Sequence, residues 1–263
     1  MLPAPEPSEE YLAQASDTPT TKTPGYKDIL VVLDLNGTIL SRPNKNPTSF
    51  IPRPFIEKFL HYLFENFQVM IWSSALPRNT VALVDNALTA EHRSMLVAVW
   101  GRDMFGLSIF NYSQNVQVYK NLQTVWRNDQ VQQKHPAYAT GARFEQHNTI
   151  LIDDSYIKAS AQPFNLLEIP TFEAKPDLME VDALGEVVGY LEFLRHQDDV
   201  SKFIKRQPFK SKDPCDWLPR LPAPTIKVET SPKDSDTSST STLTAALAGL
   251  ALTSKQQEPS SGI

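Results

Sequence analysis

The chain has 263 residues, enough for one domain of ordinary size or two small ones. Hydrophobic residues make up 41% and charged residues 21%, which is typical of globular proteins. The net charge of −5 provides no positive field that would attract nucleic acid, so we expect no direct nucleic-acid binding. The one cysteine, Cys215, excludes a disulfide framework and a cysteine-based zinc site. No apolar stretch reaches the ~18 residues of a membrane span, and we expect no signal or transit peptide in residues 1–25.

Hydrophobic patterning is concentrated in the middle of the chain. Residues 1–26 contain five prolines and no apolar periodicity, so we predict a disordered leader there. Between Thr225 and Ile263, fifteen of 39 residues are Ser or Thr, and we predict a disordered tail over residues 207–263. One folded domain over residues 27–206 is the expected organisation.

Strand and helix signals alternate within this predicted domain. Ile29–Leu35 is an apolar, β-branched run typical of a strand buried on both faces. Pro54 stands at the first position of a predicted helix with apolar residues at helical spacing. The pattern continues with a strand at Val69–Trp72, a helix from Pro77 to about Leu88, a strand at Leu96–Trp100, a helix at Tyr119–Trp126, strands at Thr149–Ile152 and Leu166–Ile169, and a helix at Leu178–Leu194. This alternation predicts an α/β fold, a Rossmann-like, mostly parallel sheet with helices on both faces.

Candidate chemical groups follow the predicted strands. Asp34 ends the first strand, Ser73 follows the second, Asp153 and Asp154 follow the fourth, and Lys120 opens the helix before the fourth strand. Ligands of parallel α/β sheets bind at the carboxyl ends of the strands, so these groups converge on one rim. A carboxylate can attack phosphorus, Mg²⁺ separates it from the phosphate charge, and a lysine and a hydroxyl can hold phosphate oxygens. The set therefore resembles a magnesium-assisted phosphoryl-transfer site.

Four motifs carry a family resemblance. They are LDLNGTIL at residues 33–40, WSSAL at 72–76, VYKNL at 118–122 and ILIDDS at 150–155. In this order they resemble the haloacid dehalogenase superfamily. The particular branch is the FCP-homology, or NLI-interacting-factor-like, branch, with the phosphatases of the RNA polymerase II C-terminal domain, Dullard-like relatives and the receptor subunit of the mitochondrial presequence translocase. The resemblance covers about residues 27–205 and implies a haloacid dehalogenase fold with a minimal cap.

The resemblance implies a role for each matching residue. Asp34 would be the nucleophile that forms an aspartyl-phosphate, and also a Mg²⁺ ligand. Ser73 would bind phosphate, and Lys120 would neutralise both nucleophile and phosphate. Asp153 would bind Mg²⁺, with Asp154 beside it. The implied protein is a Mg²⁺-dependent phosphatase of phosphoserine and phosphothreonine proteins, with a phosphorylated protein segment such as the RNA polymerase II C-terminal domain as substrate.

One residue departs from the family pattern. Phosphatases of the family have a second Asp two positions after the nucleophile, where it acts as general acid and base, and this chain has Asn36 there. An amide transfers no proton usefully near neutral pH, and general acid–base catalysis contributes about 10²–10⁴-fold, so we expect weakened activity. The backbone carbonyl of Asn36 would still bind Mg²⁺, as the resemblance implies.

The sequence leaves alternatives open. A domain that keeps the pocket without turnover would be a binding module, and the import-receptor relatives then indicate protein-import machinery as partner and mitochondria as location. Cleavage of carbon–halogen or carbon–phosphorus bonds is disfavoured by the phosphatase-like sequence of the other motifs. Residues 226–229 resemble a sumoylation consensus and the leucines between residues 243 and 252 resemble a nuclear export signal, which favours nucleus and cytoplasm. The long segment between Lys120 and Asp153 predicts a surface loop or a partner surface.

Overall fold

A computed structural model describes residues 3–16, 18–44 and 49–211. The strands of this part are Leu30–Leu33 (β1), Leu40–Ser41 (β2), Ile51–Pro52 (β3), Gln68–Trp72 (β4), Val99–Trp100 (β5), Thr149–Asp153 (β6) and Leu166–Glu168 (β7). Its α-helices are Glu9–Gln14 (α1), Ile56–Asn66 (α2), Pro77–Ala87 (α3), Ala90–Met95 (α4), Ile109–Ser113 (α5), Leu122–Trp126 (α6), Asp129–Gln132 (α7), Ala183–Leu194 (α8) and Val200–Arg206 (α9). The two motifs at residues 226–229 and 243–252 lie outside the described residues.

Five strands form one sheet in the order β5-β4-β1-β6-β7, and all four pairings are parallel. The sheet confirms the predicted α/β, Rossmann-like class. Strand β1 is central, and Leu33 pairs with Ile71 of β4 on one side and Ile152 of β6 on the other. This register aligns the carboxyl ends of the three strands, so the residues that follow them share one edge of the sheet. A two-stranded antiparallel sheet, β2–β3, follows the first motif.

Two hydrophobic clusters cover the two faces of the sheet. Val31 and Leu33 belong to the cluster that includes residues of α2, α3, α8 and α9, whereas Leu30 and Val32 belong to the cluster that includes residues of α6. Successive side chains of a strand point to opposite faces, so a strand covered on both sides is apolar throughout. Strand β1 is apolar at every position because both of its faces are buried.

The N-terminal segment differs from the prediction of a disordered leader over residues 1–26. Helix α1 forms within it, and Tyr11 of this helix is buried. The Tyr11 hydroxyl donates a hydrogen bond to Asn165 Oδ1 (2.9 Å) and accepts one from the Phe164 backbone N–H (2.8 Å). The helix has six residues, less than two turns, which is too short to produce a visible apolar period.

The segment between Lys120 and Asp153 is more ordered than the predicted surface loop. It contains α6 and α7, and both Val131 and Phe144 are buried in the second hydrophobic cluster. The Gln132 side chain accepts a hydrogen bond from the Phe144 backbone N–H and donates one to its carbonyl, both at 2.8 Å. A few buried residues therefore attach the segment to the domain, although most of its side chains are exposed or half-buried.

Two helices begin later in the chain than the sequence predicts. Phe55 has a φ of 65°, which interrupts the helix expected from Pro54, so α2 begins one residue after Phe55. The Asp182 side chain caps α8 by accepting a hydrogen bond from the Gly185 N–H, so this helix begins at Ala183 and not at the predicted Leu178.

The packed region extends beyond the predicted boundary at residue 206, because Phe209 is buried. Among the described residues, no helix has the length and apolar character that crossing a membrane requires.

Candidate active site

The ends of three neighbouring strands supply the centre of the site. Asp34 follows β1, Asp153 ends β6 and Ser73 follows β4, and all three are buried. The Asp34 backbone N–H donates to the Ile152 carbonyl (3.0 Å), which continues the β1–β6 ladder up to the first candidate carboxylate. The predicted convergence on one rim is therefore present in the fold.

Lys120 joins two of these carboxylates. Its Nζ lies 2.7 Å from Asp34 Oδ1 and 2.6 Å from Asp153 Oδ2, and its side chain is fully buried. Its backbone position is a correction to the prediction: Lys120 precedes the Asn121 cap of α6 and lies outside the helix. A buried ammonium is tolerated only when it is paired and hydrogen-bonded, and the two carboxylates meet that requirement.

The loop after β1 brings a glycine and a hydroxyl to the site. The Thr38 hydroxyl donates to Asp34 Oδ2 at 3.1 Å. Gly37 has a φ of +88°, and a Cβ at this position would lie 2.2 Å from Asp154 Oδ2. Glycine is thus required both by the left-handed backbone and by the close approach of Asp154. The Asn-Gly pair of the first motif, which by itself indicates a turn, therefore also leaves space for the Asp154 carboxylate.

Three carboxylates could hold a cation. Asp34, Asp153 and Asp154 each offer an oxygen atom, and these atoms all lie within 4.8 Å of one another. Oxygen donors of this kind are the ligands of hard cations such as Mg²⁺, which needs only one or two carboxylates from a protein. The donor set fits the cation implied by the family resemblance. Binding by the Asn36 carbonyl stays a prediction.

Lys158 is a site residue that the sequence analysis missed. Its Nζ lies 2.8 Å from Asp153 Oδ1, 3.2 Å from Asp154 Oδ1 and 3.7 Å from Asp34 Oδ2. Burial alone would lower the pKa of Lys158, but the three carboxylates outweigh it and hold the pKa well above its usual value, so the side chain is an ammonium ion. A signal existed: the lysine stands four residues after the second acid of the DD pair.

Asn36 contacts an arginine. The side chain of Asn36 is exposed, and its Oδ1 accepts hydrogen bonds from the Arg42 backbone N–H (3.0 Å) and from Arg42 Nε (3.3 Å). Burial lowers the pKa of Arg42, and the nearby Asp34 charge opposes that shift, which places the guanidinium within the field of the site. Asn36 therefore helps to position the Arg42 guanidinium group beside the site.

Ser73 lies on the same rim as the carboxylates. Among the described residues, it makes no hydrogen bond to them. Its Oγ accepts the Ala75 backbone N–H at 3.2 Å, and its own N–H donates to the Trp100 carbonyl at 2.9 Å. Of the predicted residues, Asp34, Lys120 and Asp153 are in direct contact, Asp154 joins them through Lys158, and Ser73 and Asn36 lie beside them. A phosphate-binding role for Ser73 stays a prediction.

Comparison with known proteins identifies the family. The sequence model of the NLI interacting factor-like phosphatases matches residues 29–201. An uncharacterized FCP1 homology domain-containing protein of Schizosaccharomyces pombe is 37% identical over 221 residues, which cover 79% of this chain and 86% of that protein. The chain belongs to the NLI interacting factor-like phosphatase family. The predicted membership of the C-terminal-domain phosphatase-like branch of the haloacid dehalogenase superfamily is confirmed.

Solved structures of Fcp1 are more distantly similar. One is Fcp1 described as an essential RNA polymerase II CTD phosphatase, with a TM-score of 0.36, 12% identity, and coverage of 56% of this chain and 42% of that one. Another is a point variant of the fission yeast enzyme bound to beryllium fluoride, with a TM-score of 0.37, 11% identity, and coverage of 64% and 50%. The chain spans half or less of the length of these two structures.

Proposed function

We propose that the protein is a Mg²⁺-dependent phosphatase that acts on phosphoserine and phosphothreonine through an aspartyl-phosphate on Asp34. One observation carries the proposal: the buried Asp34 carboxylate is held by Lys120 and Thr38 beside the acid pair Asp153 and Asp154. Membership of a phosphatase family supports the reaction class.

Each residue of the site would have its own role in the reaction. An Asp34 oxygen attacks phosphorus, and the ester oxygen leaves with its bonding electrons. Lys120, within 2.7 Å of Asp34 Oδ1, balances the charge of the nucleophile and then of the phosphoryl group. Asp34, Asp153 and Asp154 would hold Mg²⁺, which when bound reduces the repulsion between carboxylate and phosphate. Water then attacks the phosphorus of the aspartyl-phosphate and releases inorganic phosphate.

The leaving group receives its proton poorly. Asn36 cannot donate one, and general acid catalysis contributes about 10²–10⁴-fold. His135, in the segment that could have supplied a substitute, interacts with Asp28 before β1, whereas Asp34 follows β1. Asp28 and Asp34 are six positions apart, with the four residues of β1 between them, which allows a separation of up to about 20 Å. His135 is therefore placed at the opposite edge of the sheet, which supports reduced activity on alkyl phosphates.

The proposed substrate is a phosphorylated protein segment. The side chains that flank the acid pair and the nucleophile loop are open: Tyr156 is 65% exposed, Ile157 is 37% exposed and Asn36 is exposed. Such a rim leaves room for an extended peptide. Fcp1 is a phosphatase of the RNA polymerase II C-terminal domain, and we propose this kind of segment as the substrate class, with nucleus and cytoplasm as the compartments.

A second candidate function is a non-catalytic binding module. The observation that favours it is the pairing of Asn36 with Arg42, which assigns the position of the missing acid to a structural contact. Such a module would bind phosphorylated segments, or protein-import machinery as the import-receptor relatives suggest, without turnover.

Hydrolysis of p-nitrophenyl phosphate separates the two functions, because its leaving group needs little protonation. The full chain is assayed with Mg²⁺ and with EDTA, beside Asp34→Asn and the control Asp103→Asn, whose side chain is exposed. A phosphatase turns over with Mg²⁺, keeps its rate in Asp103→Asn and loses it in Asp34→Asn. Equal rates for the wild type and Asp34→Asn, or no turnover at all, would reject the proposed enzyme and favour the binding module.

A further inference from the structure

Two lysines contact different oxygen atoms of the acidic cluster. Lys120 contacts Asp34 Oδ1 and Asp153 Oδ2. Lys158 contacts the complementary set, Asp34 Oδ2, Asp153 Oδ1 and Asp154 Oδ1, at 3.7, 2.8 and 3.2 Å. One oxygen atom from each carboxylate thus faces a single cationic nitrogen. This arrangement of three converging carboxylate oxygens is the one that a divalent cation would use.

We propose that Lys158 is a tethered competitor of the divalent cation, so that the cation binds only when the ammonium group leaves the three carboxylates. The inference rests on the cation-binding part of the proposed function. Mg²⁺ requires oxygen ligands at about 2.0–2.1 Å in near-octahedral geometry. An ammonium that contacts the same oxygens would lie within about 4 Å of the ion, where two positive charges repel strongly in a partly buried site.

The backbone around Lys158 permits its side chain to move alone. The Lys158 carbonyl accepts the Lys120 N–H at 2.7 Å, which ties the turn Tyr156–Ala159 to the site. The Lys158 side chain is flexible and 14% exposed, so part of it lies next to solvent. Asp153 Oδ1 also accepts the Ser155 N–H at 3.0 Å, so its orientation does not depend on Lys158 alone. Exchange of an ammonium for a metal ion thus requires no refolding.

The exchange would change the charge that a phosphate meets. Three carboxylates and two ammonium groups have a formal charge of −1 in the described arrangement. A divalent cation added to the same groups, with Lys158 displaced to the rim, changes this charge to +1. A phosphorylated segment is therefore attracted more strongly after the exchange than before it.

The test measures Mg²⁺ binding directly, by isothermal titration calorimetry on the full chain. Lys158→Met removes the competitor, Lys158→Arg keeps its charge, and Lys134→Met is a control at an exposed lysine. We expect Lys158→Met to bind Mg²⁺ about tenfold or more tightly than the wild type, because a nearby positive charge is gone. Lys158→Arg and Lys134→Met should stay within about threefold of the wild type on the same argument.

A second measurement keeps the test independent of how well the variant folds. In the wild type, ¹⁵N-detected signals of the lysine ammonium groups are followed as Mg²⁺ is added. The Lys158 signal should move or disappear, while that of Lys120 persists. Equal Mg²⁺ affinity in the wild type and a folded Lys158→Met, or Mg²⁺ binding that leaves the Lys158 signal unchanged, overturns the inference and leaves the proposed phosphatase intact. Absence of Mg²⁺ binding in every protein overturns both.

Discussion

At Asp34 each carboxylate oxygen has a definite partner. Oδ1 accepts from the Lys120 ammonium, and Oδ2 accepts from the Thr38 hydroxyl with Lys158 nearby. Loss of one member of a buried ion pair leaves an uncompensated charge, which is far more costly than the pair is stabilising. The same contacts therefore orient the proposed nucleophile.

The Asn36–Arg42 contact leads to a prediction about restoring the missing acid. In Asn36→Asp the new carboxylate would meet the same two donors, Arg42 N–H and Nε, and the ion pair would keep it deprotonated. We expect Asn36→Asp to raise Mg²⁺-dependent hydrolysis of a phosphoserine peptide by less than about tenfold, whereas Asn36→Asp combined with Arg42→Gln gains about 10²-fold or more.

The single variant Arg42→Gln is the control, and it should gain nothing, because Asn36 still carries no transferable proton. A full gain in Asn36→Asp alone would show that Arg42 does not restrain the group at position 36.

At the scale of elements, the turn after β1 matters as much as the strand. Gly37 and Gly141 have nearly the same backbone, with φ of +88° and +93°, but a Cβ meets Asp154 only at Gly37; at Gly141 nothing lies within 4 Å. Both Gly→Ala variants should lose about 1–2 kcal/mol of unfolding free energy from left-handed strain. Only Gly37→Ala should also lose Mg²⁺ binding and phosphatase activity. Urea unfolding with parallel calorimetry measures the pair, and equal Mg²⁺ affinity in both would contradict the account.

Helix α1 is the second element with a measurable contribution. Tyr11 is 3% exposed, whereas Leu12 beside it is 43% exposed. Tyr11→Ala should lower the free energy of unfolding by about 3–5 kcal/mol, because a buried aromatic side chain and its cavity are involved. Leu12→Ala should change it by less than about 0.5 kcal/mol. Urea denaturation of both variants gives the result, and equal values would mean that α1 does not stabilise the domain.

Sequence reasoning recovered the elements whose pattern is regular. The apolar run of β1, the helical period of α2 and the rule that ligands bind after parallel strands together place Asp34 and Asp153 correctly. It failed where one residue carries the contact. Tyr11 has too short a helix around it to show a period. Lys158 lies in the short turn Tyr156–Ala159, and its spacing from the DD pair was the one sequence signal for its contact with Asp154.

At the scale of the whole molecule, the parallel sheet collects a site from distant parts of the chain. The central strand β1 has β4 and β6 on its two sides, so residues about 40 to 120 positions apart meet at one edge. The opposite edge holds His135 and His147, which interact with charges before β1, at Asp28 and Lys27. These two histidines are therefore spatially separate from the proposed chemistry.

The two histidines predict a pH dependence of stability. Burial lowers the pKa of both His135 and His147 below the usual value, so the folded state binds fewer protons than the unfolded state. Their contribution is fully present above about pH 6.5 and declines as the pH falls below it. Urea midpoints at pH 7.5 and 5.5 should differ less in the double variant His135→Gln, His147→Gln than in the wild type. An unchanged difference would show that other groups cause the dependence.

Trapping the covalent intermediate tests directly whether Asp34 is the nucleophile. The full chain is mixed with p-nitrophenyl phosphate and Mg²⁺, quenched in acid within one turnover, and analysed by peptide mass spectrometry. We expect a phosphoryl group on Asp34, its absence with EDTA, and its absence in Asp34→Asn. A phosphoryl group on another residue, or steady turnover with Asp34 unmodified at every quench time, would contradict it.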